Sequence, residues 1–198
     1  MRLRKGSHVP FPKKISAGYT RKAGQITANV PADRITELMV HFLVLHQDEP
    51  VFFILETPAH QTDEQATAGG VVDAFHKDIY YIDGLDSGYA MSVLEKIEDI
   101  VVNDGMCAFG YGCHNSGDEI MLGRYNILTI LSGDLTKYDG FFEAHQIRQT
   151  DRLVTAYDTF DQKHPGTSEI ISTGGKSIYD IPEMLKDMGI YRAELREE

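Results

Sequence analysis

Apolar residues recur at spacings of three and four through Ile35, Leu38, Met39, Phe42 and Leu45, with Pro31 upstream and Asp48-Glu49-Pro50 beyond, and this predicts a helix over Asp33–His46. The run Val51–Leu55 is apolar on both alternations, which predicts a strand central in a sheet and covered on both faces, ended by Thr57-Pro58. From Pro58 to Gly70 large apolar residues almost vanish and a surface loop is expected. His76–Asp83, with Ile79-Tyr80-Tyr81-Ile82, reads as a second strand closing in a turn at Asp83-Gly84. The clearest helix follows, with Ala90, Val93, Leu94, Ile97 and Val101 in one stripe, Glu95, Glu98 and Asp99 mostly off it, and Gly105 as a stop.

Ile127–Leu131 predicts another buried strand, and Ser132-Gly133-Asp134 leads into a helix carrying Leu135, Tyr138, Phe141, Phe142 and His145. Ser168–Ser172 and Ser177–Tyr179 around Gly174-Gly175 suggest a hairpin. A last helix is expected from Asp180, capped in partnership with Glu183 and burying Ile181, Met184, Leu185 and Met188, before a closing strand over Ile190–Leu195. Strands and helices interleave without a strict repeat. The fold class expected is therefore α+β (mixed α/β): a single domain with a central mixed β-sheet packed by about four helices.

The chain has 198 residues of which 42% are hydrophobic, enough for one substantial core. Residues 16–198 are expected to form one acidic globular domain, and residues 1–15, interrupted by Pro10 and Pro12, a basic arm that is mobile unless docked. No apolar run approaches the roughly 20 residues of a bilayer span, and the N-terminus lacks the apolar stretch of a secretory signal. With Cys107 and Cys113 as the only cysteines, a cytoplasmic location is expected, with no membrane partner.

Charge changes this picture most. Seven of the nineteen basic residues precede Asp33 and no acidic residue does, so twelve basic residues face thirty acidic ones in the remainder, a formal charge of −18. A body of that sign repels nucleic acid, which only the arm could attract through Arg2, Arg4, Lys5, Lys13 and Lys14 with Phe11 and Tyr19 for stacking, and it steers basic surfaces toward itself. The expected activity is binding of a basic protein partner, as an immunity or antitoxin-type inhibitor does, through carboxylates and tyrosines of the 58–70 loop and the Asp83–Asp86 turn. A homodimer is the remaining alternative among binding roles.

The densest run of glycines and reactive side chains lies at 105–119. His114, Ser116, Asp118 and Glu119 there could supply base, nucleophile or metal ligands, so a small hydrolase is the competing expectation. A divalent metal could draw on His76, Asp78 and His114, the first two sharing one strand face. The bland reading is a Gly-rich strand and turn with Phe109 and Tyr111 alternating into the core. Neither the Walker nor the dinucleotide pattern fits: the lysine position after Gly112 is lost, Asn115 stands where a third glycine is needed, and no cofactor is implied. Cys113 adjoins His114, but adjacent side chains usually diverge, and both thiols are expected to be buried and inert. Asp158 and Asp161 are expected on a solvated face.

Overall fold

The computed structural model describes residues 1–59 and 76–197. Eleven strands are found among them: β1 (Ser7–His8), β2 (Gly18–Lys22), β3 (Gln25–Asn29), β4 (Val51–Pro58), β5 (His76–Leu85), β6 (Ala108–Cys113), β7 (Glu119–Leu122), β8 (Ile127–Leu131), β9 (Arg148–Gln149), β10 (Thr167–Ser168) and β11 (Tyr191–Glu197). The helices are α1 (Ile35–Leu45), α2 (Ser87–Val101), α3 (Asp139–Ala144) and α4 (Ile181–Met184). Nine strands form one sheet in the order β11-β5-β4-β6-β7-β8-β3-β2-β9, antiparallel except where β2 meets β9, and β1 pairs with β10 in a second, small sheet. The fold is a mixed α+β single domain. No described helix is long and apolar enough to cross a membrane.

All four helices bury side chains in the same core as one face of the large sheet. Helix α1 contributes Ile35, Leu38, Met39, Phe42 and Leu43, so Leu43 takes the place expected of Leu45, which is 38% exposed. Helix α2 begins at Asp86, whose carboxylate accepts the Tyr89 N–H at 2.8 Å as an N-cap. It buries Val93, Leu94, Ile97, Ile100 and Val101, each worth about 1.5–3 kcal/mol of transfer free energy. The expected third helix starts as a 3₁₀ turn over Leu135–Tyr138 and continues as α3.

Other expectations are revised. Strand β4 is central, between β5 and β6, but only Val51, Phe53, Leu55 and Thr57 are buried; Phe52, Ile54 and Glu56 sit half-buried on the opposite face. The β2–β3 hairpin escapes the apolar pattern because Arg21, on its inward side, pairs with Asp139. Its loop is Ala23-Gly24, with φ of 36° and 83°, as a two-residue primed turn requires. At the C-terminal end the capping box is formed by Ser177 and Asp180, one turn earlier than expected. The expected 168–179 hairpin reduces to a single bridge between Thr173 and Lys176. The expected loop after Pro58 lies outside the described residues from position 60.

Within residues 1–15, Arg4, Ser7 and Ile15 are buried against the body. Arg4, 1% exposed, donates to the carbonyls of Gly123 at 2.7 Å, Cys107 at 3.2 Å and Val101 at 3.4 Å, while its own N–H reaches Asn126 Oδ1 at 2.9 Å. Burial lowers the guanidinium pKa, with the Cys107 thiol and Asp104 acting in the opposite direction. The arm therefore spends one of its charges inside the body. Phe11 meets His164 and carries Lys14 over its ring, and Tyr19 is stacked on Phe142 at 4.3 Å, so the aromatic groups suggested for base stacking are engaged within the chain.

Candidate functional site

The 105–119 segment resolves into the end of α2's exit loop, β6, a tight turn and the start of β7. Strand pairing sets Phe109 opposite Leu122, Tyr111 opposite Ile120 and Gly112 opposite Glu119. Because successive side chains alternate across a strand, Phe109, Tyr111, Cys113, Ile120 and Leu122 point to the helices, while Gly110, Gly112, Glu119 and Met121 point to the other face. The turn is closed by Cys113 N–H to Asp118 O at 2.8 Å and Gly117 N–H to Cys113 O at 2.9 Å. The segment thus serves two separate surfaces.

On the inner side lies a buried charged cluster. His46, at the C-cap of α1, places Nδ1 2.6 Å from Glu49 Oε1 and Nε2 3.2 Å from Asp118 Oδ2. That same Asp118 oxygen accepts from Ser132 Oγ at 3.0 Å and from the Lys137 ammonium. The other oxygen of Glu49 accepts the Ser116 N–H at 3.1 Å. Bonds from His46 and Ser116 hold the Glu49 carboxyl below its ordinary range even though burial acts against them. Cys113 completes the group; His46, Glu49 and Cys113 offer ligand atoms all within 4.8 Å of one another. Burial pushes the Cys113 thiol up to about 12, with Glu49 and Asp118 adding to the rise, so it is no thiolate nucleophile as it stands. Cys107 is likewise buried and pushed up to about 12, chiefly by burial.

On the outer side, β11, β5, β4 and β6 present an open groove of about 450 Å³, whose walls include Phe52, Ile54, Tyr81 and Tyr191 with Asp83 and Glu119 among them. Gly112 makes this floor flat: a Cβ there would come within 2.2 Å of the Phe52 ring. His114 stacks on Phe52 with ring centroids 4.8 Å apart and lies 3.9 Å from Asp83, which also accepts the Tyr191 hydroxyl. Glu119 has its carboxyl raised by partial burial and by Glu56, and among the described residues no cation pairs with it. Glu56 itself pairs with Lys77 at 3.4 Å.

The residues singled out from the sequence are therefore divided. His114 and Glu119 face the groove, Asp118 belongs to the buried cluster, and Ser116 lies exposed in the turn with its Oγ 3.4 Å from the Asp118 N–H. Among the described residues, no side-chain hydrogen bond joins His114 to Ser116. Asp78 is 4% exposed and takes the Arg192 guanidinium, away from His114; the His76 side chain is outside the described residues. Of the Asp83–Asp86 turn, Asp83 faces the groove and Asp86 caps α2. Asp158 accepts from Thr155 and Asp161 from His164, each as a local cap.

His46, Glu49 and Lys137 were not visible as site residues, although His46 and Glu49 stand at the i, i+3 spacing that lets two ligands share a side of a helix end. Comparison with protein-family models, curated proteins and solved structures finds no match to this chain, so its function has to be sought in its own geometry.

Proposed function

We propose that the protein binds a basic segment of a protein partner on the open face of β11-β5-β4-β6, in the manner of an acidic immunity or antitoxin-type inhibitor. The observation that supports this most is Glu119, a half-buried carboxylate raised in pKa beside Glu56, with no described cation upon it. Such a group is held at a cost to the free protein, and a lysine or arginine arriving from a partner relieves it. The aromatic floor of Phe52, Tyr81 and Tyr191 suits the same visitor, since the aliphatic stems of lysine and arginine cover apolar surface and their charged heads favour ring faces. Asp83 extends the acidic rim, and the net charge of −11 steers a cationic partner from a distance.

Titration with a lysine- and arginine-rich peptide, at increasing ionic strength, tests this. Affinity should fall as salt rises, and Glu119→Gln and Asp83→Asn should each weaken it about fivefold, which is about 1 kcal/mol. Binding indifferent to salt and to both substitutions would refute the proposal.

A further inference from the structure

We infer that the buried cluster behind the β6–β7 hairpin is a zinc site, with His46 Nδ1, the Glu49 carboxylate and Cys113 Sγ as its three protein ligands. The donor atoms lie within 4.8 Å of one another, and tetrahedral zinc with bonds of about 2.0–2.3 Å needs them about 3.3–3.7 Å apart, so side-chain shifts on the order of 1 Å bring them into place. The set is of mixed nitrogen, oxygen and thiolate character, which favours zinc over calcium or magnesium.

The surroundings are those a metal centre needs. Asp118 Oδ2 lies 3.2 Å from His46 Nε2, which fixes the ring and leaves Nδ1 to face Glu49. Asp118 is held in turn by Ser132 and Lys137, and Glu49 by the Ser116 N–H. The Tyr138 hydroxyl, its pKa raised by burial and then by its neighbours Asp118 and Cys113, has no hydrogen-bond partner among the described residues. A zinc-bound water would satisfy it.

The charged groups around the ligands are fixed by the fold. His46 Nδ1 faces Glu49 and Nε2 faces Asp118, and the Lys137 ammonium, bonded to Asp118, lies 3.4 Å from Nε2. Zinc binds the imidazole nitrogen and the thiolate, so its entry at Sγ displaces the thiol proton. The site is independent of the peptide groove, which lies across the sheet from it.

The test uses the full chain stripped with a chelator, reloaded with zinc and then passed through gel filtration, and in parallel loaded with cobalt(II). One zinc per chain should be retained, and the cobalt form should show the near-ultraviolet charge-transfer band of a thiolate ligand. Cys113→Ser should abolish that band, and Glu49→Gln, whose side chain is partly exposed and whose fold should persist by near-ultraviolet dichroism, should lower zinc affinity more than about tenfold. Failure of the unaltered protein to retain zinc, absence of the thiolate band in its cobalt form, or affinity unmoved by Glu49→Gln would each overturn the assignment. Those readouts do not depend on whether Cys113→Ser folds.

Discussion

Two glycines on one strand, two residues apart and on the same face, should respond very differently to alanine. At Gly110 a Cβ would lie 1.9 Å from the Ile120 carbonyl oxygen and 2.9 Å from Met121 Cα, both backbone atoms of β7. Ordinary contact begins near 3.4 Å, so β7 would have to retreat by about 1.5 Å or β6 rotate. Either motion strains the Gly110–Met121 and Tyr111–Ile120 pairing. Loss of about two ladder bonds at about 1 kcal/mol each, with overpacking strain of about 1–3 kcal/mol, gives a cost of about 3–5 kcal/mol. For a chain of this size that is a fall in Tm of roughly 10 °C. At Gly112 the obstacle is the far end of the Phe52 ring at 2.2 Å, a side chain that can swing into the open groove. Gly112→Ala should cost only about 1 kcal/mol while disturbing peptide binding. Urea unfolding followed by far-ultraviolet dichroism measures both. Equal midpoints for the two variants, or a Gly112→Ala variant the less stable, would show that backbone and side-chain obstacles are not separated as argued.

Asp104, fully buried, accepts the backbone N–H groups of Met106 at 2.7 Å, Cys107 at 2.8 Å and Ile171 at 3.0 Å. Asp104→Asn turns one acceptor oxygen into a donor facing an N–H and should cost about 2–4 kcal/mol; a thermal midpoint unchanged within about 2 °C would contradict this. Glu119 is a carboxyl whose folded pKa lies above its unfolded value of 4.5, so its ionised form destabilises the fold above the raised value and ceases to do so as pH falls through the ordinary one. Glu119→Gln should therefore stabilise the free protein at neutral pH, with the advantage shrinking toward about pH 4, even as it weakens the peptide complex. An advantage that grew on acidification would reverse the sign of the reasoning.

The helices were legible because periodicity records packing directly: Leu38, Met39 and Phe42 in α1 and Val93, Leu94 and Ile97 in α2 show the buried stripe in order. Val51–Leu55 announced a strand but concealed its orientation. Phe52 and Ile54 are as apolar as Phe53 and Leu55, yet they line a groove instead of a core, and composition does not distinguish a covered face from an open one. Arg21 hid the β2–β3 hairpin because an inward arginine breaks the alternation until its partner, Asp139, is brought alongside by the fold. The 105–119 segment was marked by its glycines and polar side chains, but a single turn sends Asp118 inward and Glu119 outward, and only three dimensions separate their roles. His46, Glu49, Asp118 and Lys137 come from three distant stretches, and no local pattern records such a meeting.

Arg4 sets the timing of folding during synthesis. The groups that complete its environment are Val101, Cys107, Gly123 and Asn126, as many as 122 positions later. At roughly 5–20 residues per second of synthesis, Arg4 must stay unengaged for on the order of ten seconds before its socket exists. Its seating therefore follows the synthesis of β6 and β7, and the cationic, proline-interrupted sequence around it is well suited to remaining hydrated and extended through that interval.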